Sequence, residues 1–279
     1  MTVFGYNSLQ ALGAIEEILD AQKARDSLVV IVSVEGPPEL MGRRIVIRQN
    51  SNSTPRRIGS FGDESLDKTA LELGMSALDD SGPRVDGIHE LNNNNGEPIR
   101  MYVESHHPHP DLIIVGAGHI AQPLCSIGSL IGFHVIVIDD RPDFATQERF
   151  PEAHQIVRAD FLDPFANILI HPRSHVVLVT RGHKYDYECL RHLLRMNMEL
   201  PYIGMIGSRR RVRATFEQLV KDGVSKDRMA KVRAPLGLDI GAETPAEIAI
   251  SVAAEIVLLW RGGAGLSLVE KERVLDRFF

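Results

Sequence analysis

A glycine-rich turn, Gly116-Ala-Gly118-His119-Ile-Ala121, is the stretch of this sequence best suited to hold a phosphate. An apolar segment precedes it and a helical pattern follows it, and backbone N–H groups at the start of a helix bind anions. Gly116 permits a tight turn, Gly118 lets the backbone approach a pyrophosphate, and Ala121 is small enough to pack on the strand. Asp139 follows by about 20 residues, where an acid accepts hydrogen bonds from ribose hydroxyls. We therefore predict cofactor-binding roles for Gly116, Gly118, His119 and Asp139, with NAD favoured over NADP.

Two further groups of small, polar and basic residues follow apolar segments. Gly182 and His183 come after one predicted strand, and Gly207, Ser208 and Arg209 begin a helix after another. Because the carboxyl ends of parallel strands meet at one edge of a sheet, these residues are candidates for the same ligand site. An N-cap serine followed by arginines favours an anion site. The alternatives are an exposed histidine and a solvated basic face.

Asp239 is the last candidate for cofactor binding, because it stands in a glycine-bounded loop, "GLDIG". Its alternative role is that of a turn-forming aspartate. Downstream, Thr244, Pro245 and Glu247 form the pattern of a capping box, so helix capping is the favoured role for the threonine and the glutamate. No residue is predicted to be catalytic.

Neither cysteines nor histidines have the spacing of a metal site. Cys125 and Cys189 lie in apolar helical patterns and are expected to be buried free thiols. His106, His107 and His109 are expected to be exposed histidines of a linker. The sequence therefore predicts no metal site.

The composition is typical of a soluble globular protein, with 44% hydrophobic and 24% charged residues. A formal net charge of −6 gives no bias toward nucleic acid or an anionic membrane. The N-terminal residues lack the pattern of a signal peptide, and no uncharged apolar run approaches the ~18 residues of a membrane span. We expect a location in the cytoplasm.

Two domains are predicted, with a boundary in the proline- and histidine-rich segment Val103–Asp111. Residues 1–105 read as a small α+β domain, in which Asp63–Leu78 is a helix capped by Asp63 and "NNNNG" is a hairpin turn. In residues 106–279, near-continuous apolar strands alternate with helices. This alternation is typical of an α/β, Rossmann-like parallel sheet, followed here by C-terminal helices.

The segments "VGAGHIAQPL", "TRGHKYDYECL", "YIGMIGSRRR" and "PLGLDIGAETPAEIAISVAAEIV" resemble the XdhC/CoxI family, accessory proteins of molybdenum hydroxylases such as xanthine dehydrogenase. The resemblance covers the whole C-terminal domain and implies an XdhC-type N-terminal domain before it. It further implies that the protein binds molybdenum cofactor, helps its sulfuration and delivers it to the apo-enzyme. A molybdenum hydroxylase is thus the expected partner, with a cysteine desulfurase and a second copy of the chain as further candidates.

The N-terminal domain departs from this family at one position. The family pattern is a turn of the form G-S-x-G-G-G-C-x-E, whereas the chain reads "GSFGDESLD" from Gly59 to Asp67. Ser65 stands where the cysteine would fall, and a hydroxyl lacks the soft-ligand character of a thiolate. Asp63 and Glu64 replace two glycines and add negative charge, so the departure predicts altered or lost cofactor handling by this domain.

Two other functions stay open at the level of the sequence. An NAD-dependent oxidoreductase would need an acid or base near the nicotinamide, for which His183, Tyr185 and Asp186 are the candidates. No Tyr-x-x-x-Lys pair supports that function. A non-catalytic, nucleotide-binding sensor would use the same glycine turn without any reaction.

Overall fold

The computed structural model describes residues 3–49, 54–79, 85–93, 95–160, 163–196 and 198–272, and the side chains of residues 3–10 and of residue 183 lie outside the described parts. The chain divides into two compact units, residues 1–109 and residues 110–279. The seam therefore lies within the segment 103–111. Each unit has its own sheet and its own core.

The first unit is a five-stranded antiparallel sheet with the strand order β3-β2-β1-β5-β4, covered by two helices. Its strands are β1 (Ser27–Glu35), β2 (Arg44–Gln49), β3 (Arg56–Gly59), β4 (Gly87–Asn92) and β5 (Pro98–His106), and its helices are α1 (Val3–Ala24) and α2 (Glu64–Leu78). The alternation of side chains along β1 explains why the sheet has a separate cluster on each face, because successive side chains of a strand point to opposite faces. Val29 and Ile31 pack beneath Leu66 and Ala70 of α2. Leu28 and Val30 belong to the separate cluster that includes Ala14 and Ala21 of α1.

The second unit is a five-stranded parallel sheet with the strand order β10-β9-β6-β7-β8. Its strands are β6 (Asp111–Val115), β7 (His134–Asp139), β8 (Gln155–Arg158), β9 (Ser174–Leu178) and β10 (Tyr202–Met205). Its helices are α3 (Ala121–Leu130), α4 (His183–Arg195), α5 (Arg209–Lys221), α6 (Lys226–Ala230), α7 (Pro245–Arg261) and α8 (Leu268–Glu272). Every residue of β6 and β9 is buried, as expected for central strands of a parallel sheet that is covered on both faces.

The two faces of this sheet have separate cores. On one face, Leu124 of α3 and Val252 of α7 belong to the same cluster as Ile114 of β6. On the other face, Leu190 of α4 and Leu219 of α5 form a cluster with strand residues such as Ile113. This two-sided arrangement confirms the predicted α/β class with a Rossmann-like parallel sheet.

Several local predictions are confirmed and two elements were missed. Thr244 and Glu247 form the predicted capping box, and β4 and β5 form the predicted antiparallel hairpin. Strand β3 was not predicted, since its four residues, Arg56–Gly59, offer one apolar side chain. The five-residue helix α6 is likewise too short to show a periodic pattern. None of the described helices combines the length and the apolar composition needed to span a membrane.

Candidate functional site

The candidate site lies at the carboxyl edge of the parallel sheet, beside the ends of the neighbouring strands β6 and β9. In open α/β sheets, ligands bind in the crevice at this switch in strand order. Gly116 lies at the floor of the crevice. Its φ is +107°, and a Cβ atom there would lie 2.6 Å from the carbonyl oxygen of Val179. Both the backbone angle and this contact require glycine, which is the physical reason for the first glycine of the motif.

Gly118 lies in open space, which suits the predicted approach of a phosphate. A Cβ atom on Gly118 would have no neighbour within 4 Å, so the space above the backbone is free for a ligand. In the described part of the chain, no group accepts a hydrogen bond from the N–H of Gly118 or of His119. Unpaired N–H groups at the start of a helix are the arrangement that binds anions in other proteins, so these two groups are the candidate anion-binding position. The His119 side chain is exposed and makes no hydrogen bond, ion pair or ring contact with another described residue.

Asp139 is buried in the wall of the crevice, with 1% of its surface exposed. Its carboxylate accepts hydrogen bonds from the Ala117 N–H at 2.7 Å and from the Arg141 side chain at 2.9 Å. Burial alone would raise the pKa of this carboxyl group, but the hydrogen bonds from Arg141 and Ala117 hold it at about 2. In this arrangement Asp139 fixes the glycine turn and both of its carboxylate oxygens accept hydrogen bonds from the protein, so its predicted contact with a ribose stays a prediction.

The segment after β9 is held by a buried polar network. The hydroxyl of Thr180 donates to Asp186, which is fully buried, and Arg211 of α5 donates to the same carboxylate and to the Thr180 carbonyl at 3.2 Å. Gly182 is the N-cap residue of α4 in an extended conformation. His183 begins this helix, but its side chain falls outside the described residues, so its predicted ligand contact stays a prediction.

An ion pair between Arg181 and Asp140 was missed by the sequence interpretation. Arg181 follows β9, Asp140 follows β7, and their side chains make two hydrogen bonds of 2.5 and 2.7 Å. The residues are 41 positions apart, and the sequence offered no signal for their pairing beyond the position of both residues at strand ends.

The predicted anion-site residues Gly207, Ser208 and Arg209 lie at the start of α5. Ser208 caps the helix by accepting from the Arg211 N–H at 3.3 Å, and Gly207 precedes it. Arg209 is exposed and has no partner among the described residues. Of the arginines that begin this helix, Arg211 turns inward and contacts the Thr180 loop.

Asp239 is also exposed and without a partner in the described ranges. Its loop is anchored by a hydrogen bond from the Gly237 N–H to Glu255 at 2.8 Å and by one from the Leu238 N–H to the Ser251 carbonyl at 3.2 Å. The predicted role of Asp239 in cofactor binding stays a prediction.

The turn in the N-terminal unit is stabilised by its own carboxylates. Asp63 caps α2, as predicted, by accepting from the N–H groups of Ser65 and Leu66 at 2.9 and 3.1 Å. Asp67 is buried and accepts from the Ser60 hydroxyl and the Phe61 N–H, both at 2.7 Å. Ser65 itself is exposed. Glycines at positions 63 and 64 would leave the first N–H groups of α2 free for a ligand. In this chain the Asp63 carboxylate already accepts hydrogen bonds from the N–H groups of Ser65 and Leu66.

Neither cysteine can serve as a soft ligand in this arrangement. Cys125 and Cys189 are free and buried, as predicted. Burial raises the pKa of Cys125 to about 12 and raises that of Cys189 as well, so both are thiols at neutral pH. Within the described ranges, no group of three or more histidine, cysteine, aspartate or glutamate side chains could hold a metal ion.

The strand order and the glycine turn define a Rossmann-type domain with a candidate phosphate-binding position at its switch point. Residues 112–256, just over half of the chain, match the family of the XdhC Rossmann domain. The chain belongs to this family, which confirms the resemblance drawn from the motifs.

Individual relatives extend the similarity beyond this domain. The uncharacterized protein YqeB of Escherichia coli (strain K12) is 27% identical over 255 residues, which span 88% of this chain and 46% of that protein. A protein of Bacillus subtilis (strain 168) described as a probable component of xanthine dehydrogenase is 34% identical over 161 residues, covering 58% of this chain and 46% of that protein. The chain thus spans about half the length of these curated relatives.

A solved structure, that of a xanthine dehydrogenase from Bacillus halodurans, is similar over both units. It aligns with a TM-score of 0.64 and 26% sequence identity, covering 94% of this chain and 68% of that one.

Proposed function

We propose that this protein is an accessory protein of a molybdenum hydroxylase of the xanthine dehydrogenase type, and that it binds molybdenum cofactor and delivers it to the apo-enzyme. The observation that carries the proposal is the open position above Gly118, where the N–H groups of Gly118 and His119 lack acceptors among the described residues. Such a position suits the phosphate end of a pterin cofactor. Membership of the XdhC family and the names of the relatives support the choice of partner.

The donor set of the crevice fits the phosphate of this cargo and not its metal. Arg181 and Arg141 bring cationic groups to the edge of the sheet, while both cysteines are buried thiols. Molybdenum prefers soft sulfur ligands, which a hydroxyl such as that of Ser65 does not replace. We therefore propose that the chain holds the cofactor through its organic phosphate and leaves the metal end free for the receiving enzyme.

The same geometry gives less support to an oxidoreductase. Asp186 is fully buried between Thr180 and Arg211, and the Tyr185 hydroxyl accepts a hydrogen bond from Arg181 at 3.0 Å. Two of the three candidates for proton transfer to a substrate, Tyr185 and Asp186, are thus engaged in other contacts. Asp139, the expected acceptor for the ribose of NAD, is engaged as well.

Delivery requires partners and a compartment, which belong to the same proposal. The receiving partner is a molybdenum hydroxylase, a cysteine desulfurase is the proposed sulfur donor, and the active form is proposed to be a homodimer. Free buried thiols are typical of a reducing compartment, which supports action in the cytoplasm.

Co-expression with a xanthine dehydrogenase-type apo-enzyme tests the proposal. We expect the purified hydroxylase to contain several-fold more molybdenum per protomer, and to be correspondingly more active, when the wild-type chain is present. The variant Gly118→Val should lose this effect, because its side chain fills the open position above the turn. Equal metal content with the wild-type chain, with the variant and with no chain would contradict the accessory role.

A further inference from the structure

The ion pair between Arg181 and Asp140 crosses the crevice. Its two hydrogen bonds, Nη1 to Oδ1 at 2.5 Å and Nη2 to Oδ2 at 2.7 Å, form the two-point geometry that arginine also makes with phosphate. Arg181 follows β9 and Asp140 follows β7, and β6 lies between these strands in the sheet. The pair therefore spans the glycine turn that follows β6. The Arg181 guanidinium also lies 3.9 Å from the Asp139 carboxylate, which accepts from the Ala117 N–H of this turn. We therefore expect a ligand phosphate on the N–H groups of Gly118 and His119 to reach this pair.

A second residue, Tyr185, also positions the guanidinium of Arg181, through contacts that do not involve Asp140. The Nη2 atom of this guanidinium donates to the Tyr185 hydroxyl at 3.0 Å, and its Cζ atom lies 4.7 Å from the centre of the Tyr185 ring. Tyr185 is in the first turn of α4, one turn after Arg181. The guanidinium thus stays at the crevice when the aspartate leaves.

Of the arginine–aspartate pairs described at this edge, the pair of Arg181 and Asp140 is the one that can open. The side chains of Arg181 and Asp140 are 38% and 27% exposed, so water can solvate both charges after separation. The other carboxylates are buried: Asp139, paired with Arg141, is 1% exposed, and Asp186, paired with Arg211, is 0% exposed. Removing the arginine from a buried carboxylate is strongly unfavourable, whereas a solvent-exposed ion pair contributes little.

We propose that Arg181 is the phosphate-binding residue of the crevice, and that the Asp140 carboxylate occupies its guanidinium in the ligand-free protein in place of an organic phosphate. This inference rests on the proposed function, because it places the ligand in the same crevice. Binding exchanges one anion for another on the same two N–H groups. The displaced Asp140 stays close to the phosphate and repels it, so this aspartate sets the affinity of the crevice.

Isothermal titration of the full chain tests the exchange with two probes that carry the same pyrophosphate. ADP presents it on a nucleoside, and 6-hydroxymethyl-dihydropterin pyrophosphate presents it on a pterin. Asp140→Asn removes the competing charge and should lower Kd at least fivefold. Arg181→Ala should raise Kd at least tenfold, and Arg181→Lys should fall between, since a lysine lacks the two-point geometry.

A surface pair on α5 supplies the matched controls. Arg213 donates to Glu217 at 2.7 Å, with side chains 81% and 56% exposed, so Arg213→Ala and Glu217→Gln make the same charge changes away from the crevice. Both controls should leave Kd within twofold of the wild-type value. Circular dichroism spectra should show that every variant retains the wild-type fold. If Arg181→Ala does not fold, Arg181→Lys tests the role of the arginine in its place.

Asp140→Asn is expected to lower Kd and Arg181→Ala to raise it, so either variant can contradict the inference. Equal affinity of the wild-type chain and Asp140→Asn for both probes contradicts it, and so does wild-type affinity in Arg181→Lys. Failure of both the wild-type chain and Asp140→Asn to bind either probe contradicts it as well. An effect of these variants on ADP alone would support the role of Arg181 while contradicting the pterin cargo of the proposed function, so the two failures are distinguishable.

Discussion

Asp139, the last residue of β7, accepts a hydrogen bond at 2.7 Å from the N–H of Ala117, the residue between the two glycines of the turn. The two residues lie 22 positions apart, and this bond joins the ends of neighbouring strands at the floor of the crevice. The Arg141 side chain donates to the same carboxylate, so the groups that donate hydrogen bonds to Asp139 belong to the protein itself.

The first prediction concerns the pH dependence of stability. The folded-state pKa of Asp139, about 2, lies below its unfolded value, so the ionised carboxylate stabilises the fold above about pH 4, and this stabilisation is lost as the pH falls toward 2. At pH 6, Asp139→Asn should be less stable than the wild-type protein by about 2 kcal/mol. Urea denaturation should show this difference shrinking toward zero near pH 2. Asp143→Asn, an exposed neighbour, is the control, and a difference that does not change with pH would contradict the prediction.

The second prediction separates the two glycines of the turn. Gly118→Val should leave the melting temperature nearly unchanged, because a Cβ atom there has no neighbour within 4 Å, but it should abolish binding of ADP or the pterin pyrophosphate. Gly116→Ala should instead destabilise the fold by more than about 1 kcal/mol, because φ is +107° and the new Cβ would lie 2.6 Å from the Val179 oxygen. Unchanged ligand affinity in Gly118→Val would show that the turn does not hold the phosphate.

The third prediction concerns the buried network after β9. Asp186→Ala removes a fully buried carboxylate and leaves Arg211, 25% exposed, without its carboxylate partner. The expected loss is about 3 kcal/mol in the free energy of unfolding, at the low end for a broken buried pair because water reaches the arginine. Glu188→Ala, which breaks a more exposed pair with Arg191, should cost less than about 1 kcal/mol. A loss for Asp186→Ala no larger than for this control would show that the network does not stabilise the fold.

The fourth prediction concerns Ser65 in the N-terminal unit. Ser65→Cys changes the shape little and places a thiol in the first turn of α2, where thiols tend to ionise. It should raise the molybdenum retained per protomer when the chain is produced in a host that makes the cofactor. Adding Asp63→Gly and Glu64→Gly should raise it further, because Asp63 now holds the Ser65 and Leu66 N–H groups. Near-zero metal in all variants, measured by mass spectrometry of the elements, would mean that this turn has no part in cofactor handling.

Local patterns were sufficient to predict the strand, turn and helix around residues 116–121 and the capping box of Thr244 and Glu247. Each of these features depends on residues close together in the chain. Two contacts depend instead on which strands are neighbours. The hydrogen bond of Asp139 with Ala117 joins residues 22 positions apart, and the pair of Asp140 with Arg181 joins residues 41 positions apart. Such pairs are set by the strand order, which local patterns do not contain.

The arginines of α5 show why a helical pattern alone does not identify an inward-facing side chain. Val212, Thr215 and Leu219 are the buried residues of this helix, and they fix which side faces the sheet. At about 3.6 residues per turn, Arg209 and Arg211 both lie about a quarter of a turn from that side, on opposite flanks. Arg211 turns inward because it donates to Asp186, 25 positions away in the chain, and the spacing of the apolar residues does not reveal this partner.

Native mass spectrometry of the anaerobically purified protein distinguishes a crevice that carries molybdenum cofactor from one that does not. We predict that the wild-type chain, produced in a cofactor-making host, retains a phosphate-bearing pterin, that Asp140→Asn retains more of it, and that Gly118→Val retains none. A mass of the bare polypeptide in both the wild-type chain and Asp140→Asn, or a bound nicotinamide dinucleotide in place of the pterin, would contradict the proposal that this crevice holds molybdenum cofactor for delivery.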